Sequence, residues 1–80
     1  MTKLKIYTIV NVPNDPVYIP VKSVEEGKTL IKLLIVEQLS DPNIMSNVFG
    51  MVEFDPILQE WNEWENEYGE DIMSLIDEEE

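Results

Sequence analysis

The chain has no cysteine, no histidine and no arginine among its 80 residues. Without cysteine there is no disulfide, no thiolate metal site and no cysteine nucleophile. Without histidine, the commonest general base and metal ligand is missing. Ser23, Ser40, Ser46 and Ser74 therefore have no partner base for nucleophilic catalysis, and they read as caps and turn residues. Glycine is scarce, at three residues, and none of it forms the Gly-rich loop that cradles phosphate. No segment approaches the roughly 20 apolar residues of a membrane span. The opening Met1-Thr2-Lys3-Leu4-Lys5 is unlike a secretion signal, because it leads into a short β-like run broken at Pro13. These absences point to a cytoplasmic protein that is not an enzyme, needs no cofactor and holds no metal.

What the chain does have is acid. Residues 1–40 carry five lysines against Asp15, Glu25, Glu26 and Glu37, a balance of +1. Residues 41–80 carry thirteen acids and no base, a balance of −13. A field of that sign repels nucleic acid and anionic membrane and attracts basic surfaces. Two Trp, three Tyr and two Phe exceed what a disordered acidic chain carries, so a fold is expected. The length suits one domain with one modest core. We place that domain at residues 1–76 and read residues 77–80 as a frayed acidic tail.

Lys3 to Val12 reads as a strand, with Leu4, Ile6, Val10 and Val12 on one face and Lys3, Lys5 and Asn11 on the other. Pro13-Asn14-Asp15-Pro16 is a turn. Val17 to Val21 is a second strand with Val17, Ile19 and Val21 inward. Pro20 confines it to an edge or a strand end, and the two strands form a hairpin. Ser23-Val24-Glu25-Glu26 is a capping box that opens a helix. The helix runs to about Leu39, where Asp41-Pro42 stops it. Leu30, Ile31, Leu34, Ile35 and Leu39 share its inner arc with Gly27, which allows close approach to a sheet. Leu33 and Val36 fall on the outer side. They form either a dimer or partner surface, or a strip covered by a short terminal helix through Ile72, Leu75 and Ile76. Asn47 to Phe54 is a third strand, with Val48, Val52 and Phe54 on one face and Gly50 at a bulge or close contact.

Residues 56–68 admit two readings. Asp55 as cap, Pro56 in the first turn and Gly69 as stop favour a helix with Ile57, Trp61, Trp64 and Tyr68 in one stripe. A strand at Trp61–Glu65 followed by a turn at Glu67–Glu70 is the alternative. The fold class is α+β in either case: a small antiparallel sheet of about three to five strands, one main helix on a face, and an acidic C-terminal region.

Three segments together resemble a known group. Asn47-Val48-Phe49-Gly50, Glu60-Trp61-Asn62-Glu63-Trp64 and Gly69-Glu70-Asp71-Ile72 are similar to stretches of small acidic proteins of unassigned function from bacteriophages and mobile elements. The opening strand of that group is matched by Ile6 to Pro13. The resemblance implies phage origin, a strand with a glycine turn in the Trp segment, and binding to and inhibition of host machinery. It brings no site residues with it.

The candidate partner-binding set is Glu53, Asp55, Glu60, Trp61, Glu63, Trp64, Glu65, Glu67, Glu70 and Asp71. Carboxylates spaced along a helix or strand can imitate the charge line of duplex DNA, one negative charge per about 1.7 Å. The simpler reading is a solvated acidic surface. Trp61 and Trp64 are anchors in the first view and core residues in the second. Glu60 and Glu63 could share a proton or a hard cation. However, a glycosidase needs two carboxyls across a formed cleft, which so short a chain rarely builds. Lys3, Lys5, Lys22, Lys28 and Lys32 are either ordinary surface lysines or the positive side of a small-ligand pocket. Three functional readings follow: an acidic inhibitor of a basic, nucleic-acid-binding host protein; a nucleotide-sequestering protein; or a structural homodimer.

Overall fold

The computed structural model describes residues 3–78. Four strands form one antiparallel sheet: β1 (Leu4–Val10), β2 (Val17–Val21), β3 (Asn47–Asp55) and β4 (Glu60–Glu63). Two helices, α1 (Val24–Leu39) and α2 (Ile72–Glu78), complete an α+β fold. The spatial order is β2-β1-β3-β4. β2 and β3 are both antiparallel to β1 and flank it, so α1 crosses over β1 to connect them.

Local chemistry sets most of these boundaries. Ser23 is extended, and its hydroxyl accepts from the Glu26 N–H at 3.1 Å. Glu26 reaches back past the cap to the Lys22 N–H at 3.4 Å, so only the Ser23 half of the expected box has its usual form. Asn11 ends β1 in the left-handed region (φ 56°), which asparagine tolerates well. Its Oδ1 accepts from the N–H groups of Met45 and Ser46, and its Nδ2 donates to the Asn43 carbonyl. One side chain thus ties the loop after β1 to the loop after α1. The kink it introduces takes Val12 off the strand and into solvent. The expected strand to Val12 is therefore shorter.

Residues 56–68 are not a helix. Asp55 does act as a cap: its Oδ1 accepts from Ile57 and Leu58 N–H at 2.9 and 3.2 Å. The turn lasts only through Gln59, which sits at φ 54° and sends the chain back as β4. Register pairs Phe54 with Trp61 and Val52 with Glu63, and the Trp64 N–H continues the ladder to the Met51 carbonyl. The rings of Phe54 and Trp61 meet tilted, with centroids 5.3 Å apart, so the cross-strand aromatic pair outweighs the helical periodicity. Asn66 then turns the chain into α2. Its Oδ1 accepts from Tyr68 and Glu70 N–H, and Gly69 supplies φ 78°. Asp71 caps α2 through the Ser74 N–H. Asp77 and Glu78 belong to α2 rather than to a frayed tail. Glu79 and Glu80 lie outside the described residues.

The core sits on one side of the sheet. Ile6, Met51, Ile31 and Ile72 are fully buried, with Phe49, Val21 and Ile76 beside them. Gly27 is the contact point: a Cβ there would overlap the Met51 Cε and press on Ile6 and Ile72. Gln38 is the polar member of this layer. It donates to the Thr8 hydroxyl at 3.3 Å and accepts from Asn47 at 3.0 Å. The inner arc of α1 is thus Gly27, Ile31 and Gln38, with Leu30, Leu34 and Ile35 half-buried. The expected inner arc includes Leu39, which is 78% exposed; at that end of the helix Gln38 takes the inward place against Thr8 and Asn47. Ile72 and Ile76 enter the core, so α2 does not cover Leu33 and Val36, which stay 63% and 65% exposed. Gly50 is not a bulge, since the β1–β3 register runs unbroken through it. It is a close contact.

These positions separate two leucine-sized truncations. Ile72→Ala should cost roughly 2–4 kcal/mol, as a cavity at the α1–α2–sheet junction. Leu33→Ala should stay within about 0.5 kcal/mol. Urea unfolding of the two variants checks this, and equal losses would contradict the packing described.

Candidate functional site

The face of the sheet opposite the helices has no helix over it. Strand alternation puts Lys3, Lys5, Tyr7 and Ile9 of the β1 segment on that face. Tyr18 and Pro20 of β2, Val48, Gly50, Val52 and Phe54 of β3, and Trp61 and Glu63 of β4 join them. Val48, Val52 and Phe54 do share a face, as expected, but it is this open one. The core instead takes Phe49 and Met51.

The open face is built of rings and amines. The Lys5 ammonium lies 4.1 Å from the Trp61 ring centroid and 5.8 Å from that of Tyr18. Lys3 lies 5.6 Å from the Phe54 centroid. Tyr7 and Tyr18 face each other at 6.2 Å, tilted by 57°, in the geometry that the ring quadrupoles favour. The Tyr7 ring lies directly over Gly50, where any Cβ would collide with it. That leaves its hydroxyl 3.1–3.2 Å from both oxygens of Glu63. The Tyr7 phenol is pushed up to about 12 by burial first, then by the charge of Glu63 and the hydrogen bond to it. Burial also raises the Glu63 carboxyl. The bond from Tyr7 opposes that rise, and the charges of Asp71 and Glu65 add to it.

The ten candidate residues separate by what they touch. Trp64 packs half-buried against the core, while Trp61 stands at the surface. Asp55 holds the β3–β4 turn, Asp71 caps α2 and Glu63 is bonded to Tyr7. Glu70 accepts from Asn66. Its carboxyl is held below the usual range by hydrogen bonds with Glu78 and then with Asn66, and Glu78 is held above it by the same shared bond. Glu53 is half-buried on the helix side, where register sets it opposite Leu4. Glu60, Glu65 and Glu67 are exposed and take part in none of these turns and caps. Glu60 is on the edge strand β4, and the other two follow it in the loop. Leu33 and Val36 are distant in the chain from this rim, on the outer side of α1.

Tyr7 and Tyr18 were absent from the candidates. Their signal was the hairpin itself, whose register places them opposite one another. Among the described residues, no group of three or more acids is placed to hold a metal ion, and no helix is long and apolar enough to cross a membrane.

No protein-family model, curated protein or solved structure matches this chain.

The Tyr7–Glu63 pair makes a pH prediction. A phenol raised above its ordinary value of 10.0 keeps its proton longer in the folded state than in the unfolded one. Its contribution is therefore complete below pH 10 and falls as pH rises from 10 toward 12. The wild type should lose stability relative to Tyr7→Phe across that window. A phenolate titration followed at 295 nm should show a step near 12 that Tyr7→Phe lacks. Glu63→Gln should bring that step down without returning it to 10, since burial is the larger cause. Loss of a step at 10, and not of one near 12, on going from wild type to Tyr7→Phe would contradict the pairing.

Proposed function

We propose that this chain is a non-enzymatic interaction module that engages a basic protein surface through the rim formed by β4 and the loop after it. The observation that carries the reading is the exposure of Glu60, Glu65 and Glu67 along β4 and the loop after it, the segment that also carries Trp61. These carboxylates hold no described turn or cap, and the Trp61 ring is held in place by Phe54 and Lys5. Trp fixed at a surface suits a contact anchor. Unengaged acids in the same segment steer approach of a positive partner and set specificity more than affinity. The excess of thirteen acids in residues 41–80 extends that field, which screening confines to about 8 Å at physiological salt.

A nucleic-acid-binding protein is the partner this charge fits best, with the acidic rim occupying the place of phosphates. The likeness to bacteriophage proteins makes that partner a host protein and the outcome inhibition, in the host cytoplasm. Asp55, Glu63, Glu70 and Asp71 contribute to the field while holding turns, a cap and the Tyr7 bond, half-buried Glu53 adds its charge, and Trp64 packs against the core.

The outer strip of α1 favours a second reading. Leu33 and Val36 stand in solvent one turn apart, with Leu39 beyond them, and self-association through this strip would cover them. Sedimentation of the wild type and of Leu33→Glu/Val36→Glu distinguishes a dimer that the variant dissolves from a monomer that rules the strip out.

The rim is tested by reversing Glu60, Glu65 and Glu67 to Lys together. Immobilised wild-type protein should retain nucleic-acid-binding proteins from bacterial lysate. Moderate salt should release them, and added duplex DNA should compete for them. The triple variant should retain at least about tenfold less, a change of about 1.4 kcal/mol, with its thermal midpoint preserved. Equal retention by the variant, or indifference to DNA, would sink the reading.

A further inference from the structure

The end of the open sheet face runs against the charge of the molecule. In a chain of net charge −12, Lys3, Lys5 and Lys22 line one groove of about 970 Å³ together with Leu4, Pro20, Val21 and Trp61. The β1–β2 register ends at Leu4 with Val21, and Lys3 and Lys22 flank that end, one on each chain segment. Like charges gathered in one groove repel, and a bound anion relieves that repulsion. The groove adjoins a narrower slot of about 270 Å³ between Lys5, Tyr18, Val52 and Trp61. Tyr18 and Trp61 form ring-bearing walls, and Val52 lies between them.

We propose that this slot and groove bind a single purine nucleotide. The base lies against Trp61 and Tyr18, and the phosphate sits among Lys3, Lys5 and Lys22. The site goes beyond the acidic rim and does not depend on it. Lys5 now covers the Trp61 ring. A cation over an exposed ring is held more weakly than a stacked base, and lysine carries its charge on a flexible stem. The base therefore takes the ring and releases the ammonium to the phosphate. Size agrees, since the volumes are those of small-ligand sites. Charge selects a mononucleotide over a strand. A polyanion extends beyond the three lysines into the field of the acids, whereas one phosphate lies within a Debye length of the lysines.

The test is titration of the full-length protein with AMP, adenosine, inorganic phosphate and a short oligodeoxyadenylate, followed by tryptophan fluorescence and by the Trp61 amide and indole resonances. The expected result is saturable binding of AMP, with adenosine at least about tenfold weaker, because the lysine contacts are lost. Lys3→Gln/Lys22→Gln should lower AMP affinity several-fold toward that of adenosine, with Lys5 retaining the remainder, and leave adenosine affinity and the thermal midpoint unchanged. Glu60→Lys/Glu65→Lys/Glu67→Lys should retain AMP binding, which separates failure of this site from failure of the acidic rim. Three results would overturn the proposal: no saturable response to AMP up to about 5 mM, equal affinity for AMP and adenosine, or tighter binding of the oligonucleotide per nucleotide. The last would assign the face to a single strand instead.

Discussion

Met51 under Gly27 is the contact on which the rest of the structure depends. The absence of a side chain at Gly27 lets α1 come down onto β1 and β3, and the methyl end of Met51 fills the notch. Ile6 from the central strand, Ile31 from the helix and Ile72 from α2 close around it. Each such side chain contributes roughly 1.5–3 kcal/mol on burial. In a chain this short, a handful of them makes up most of the core. A flexible thioether suits that junction, because three elements of different shape meet there.

A core of this size covers one side of the sheet and no more. Both helices lie on the same side, and among the described residues nothing covers the other. The open side meets the cost of exposure by pairing rings with one another and with lysine amines, instead of burying them. Tyr7 on Gly50, Phe54 against Trp61 and Lys5 over Trp61 form a surface layer that is fixed in place though it remains in contact with water. A face so organised is suited to recognition, because its anchors lose little freedom when something binds. The acids gather at its rim and three lysines at one end, so a single small sheet presents two surfaces of opposite sign.

Local signals in the sequence were read correctly where the structure is local. The capping box and Asp41-Pro42 bounded α1 to the residue, and Pro20 marked an edge strand. Asp55-Pro56 misled because its capping chemistry is real: the turn forms, then Gln59 reverses it. What decides the outcome is Trp61 on Phe54 and the Trp64 N–H on Met51, which are contacts across strands that no window on residues 56–68 contains. The open face was hidden for a related reason. β3 is apolar on both sides, with Phe49 and Met51 on one and Val48, Val52 and Phe54 on the other, so alternation cannot say which side receives a helix. The acidic rim was legible as composition. The groove was not, because Lys3, Lys5, Lys22, Tyr18 and Trp61 come together only once three strands are in register.

The two borders of the sheet are unequal. On one border, Pro20 deletes a backbone donor from β2, in a strand that already follows Pro16. On the other, β4 is exposed along its whole length, with its outer hydrogen-bonding groups open. Growth by strand addition can therefore proceed from one border alone. A partner strand added at β4 would make a five-stranded sheet that still ends on the proline-bearing β2, and there the assembly would terminate. The same proline that marks β2 as an edge thus acts as a stop against filaments, and leaves β4 to a single partner at a time.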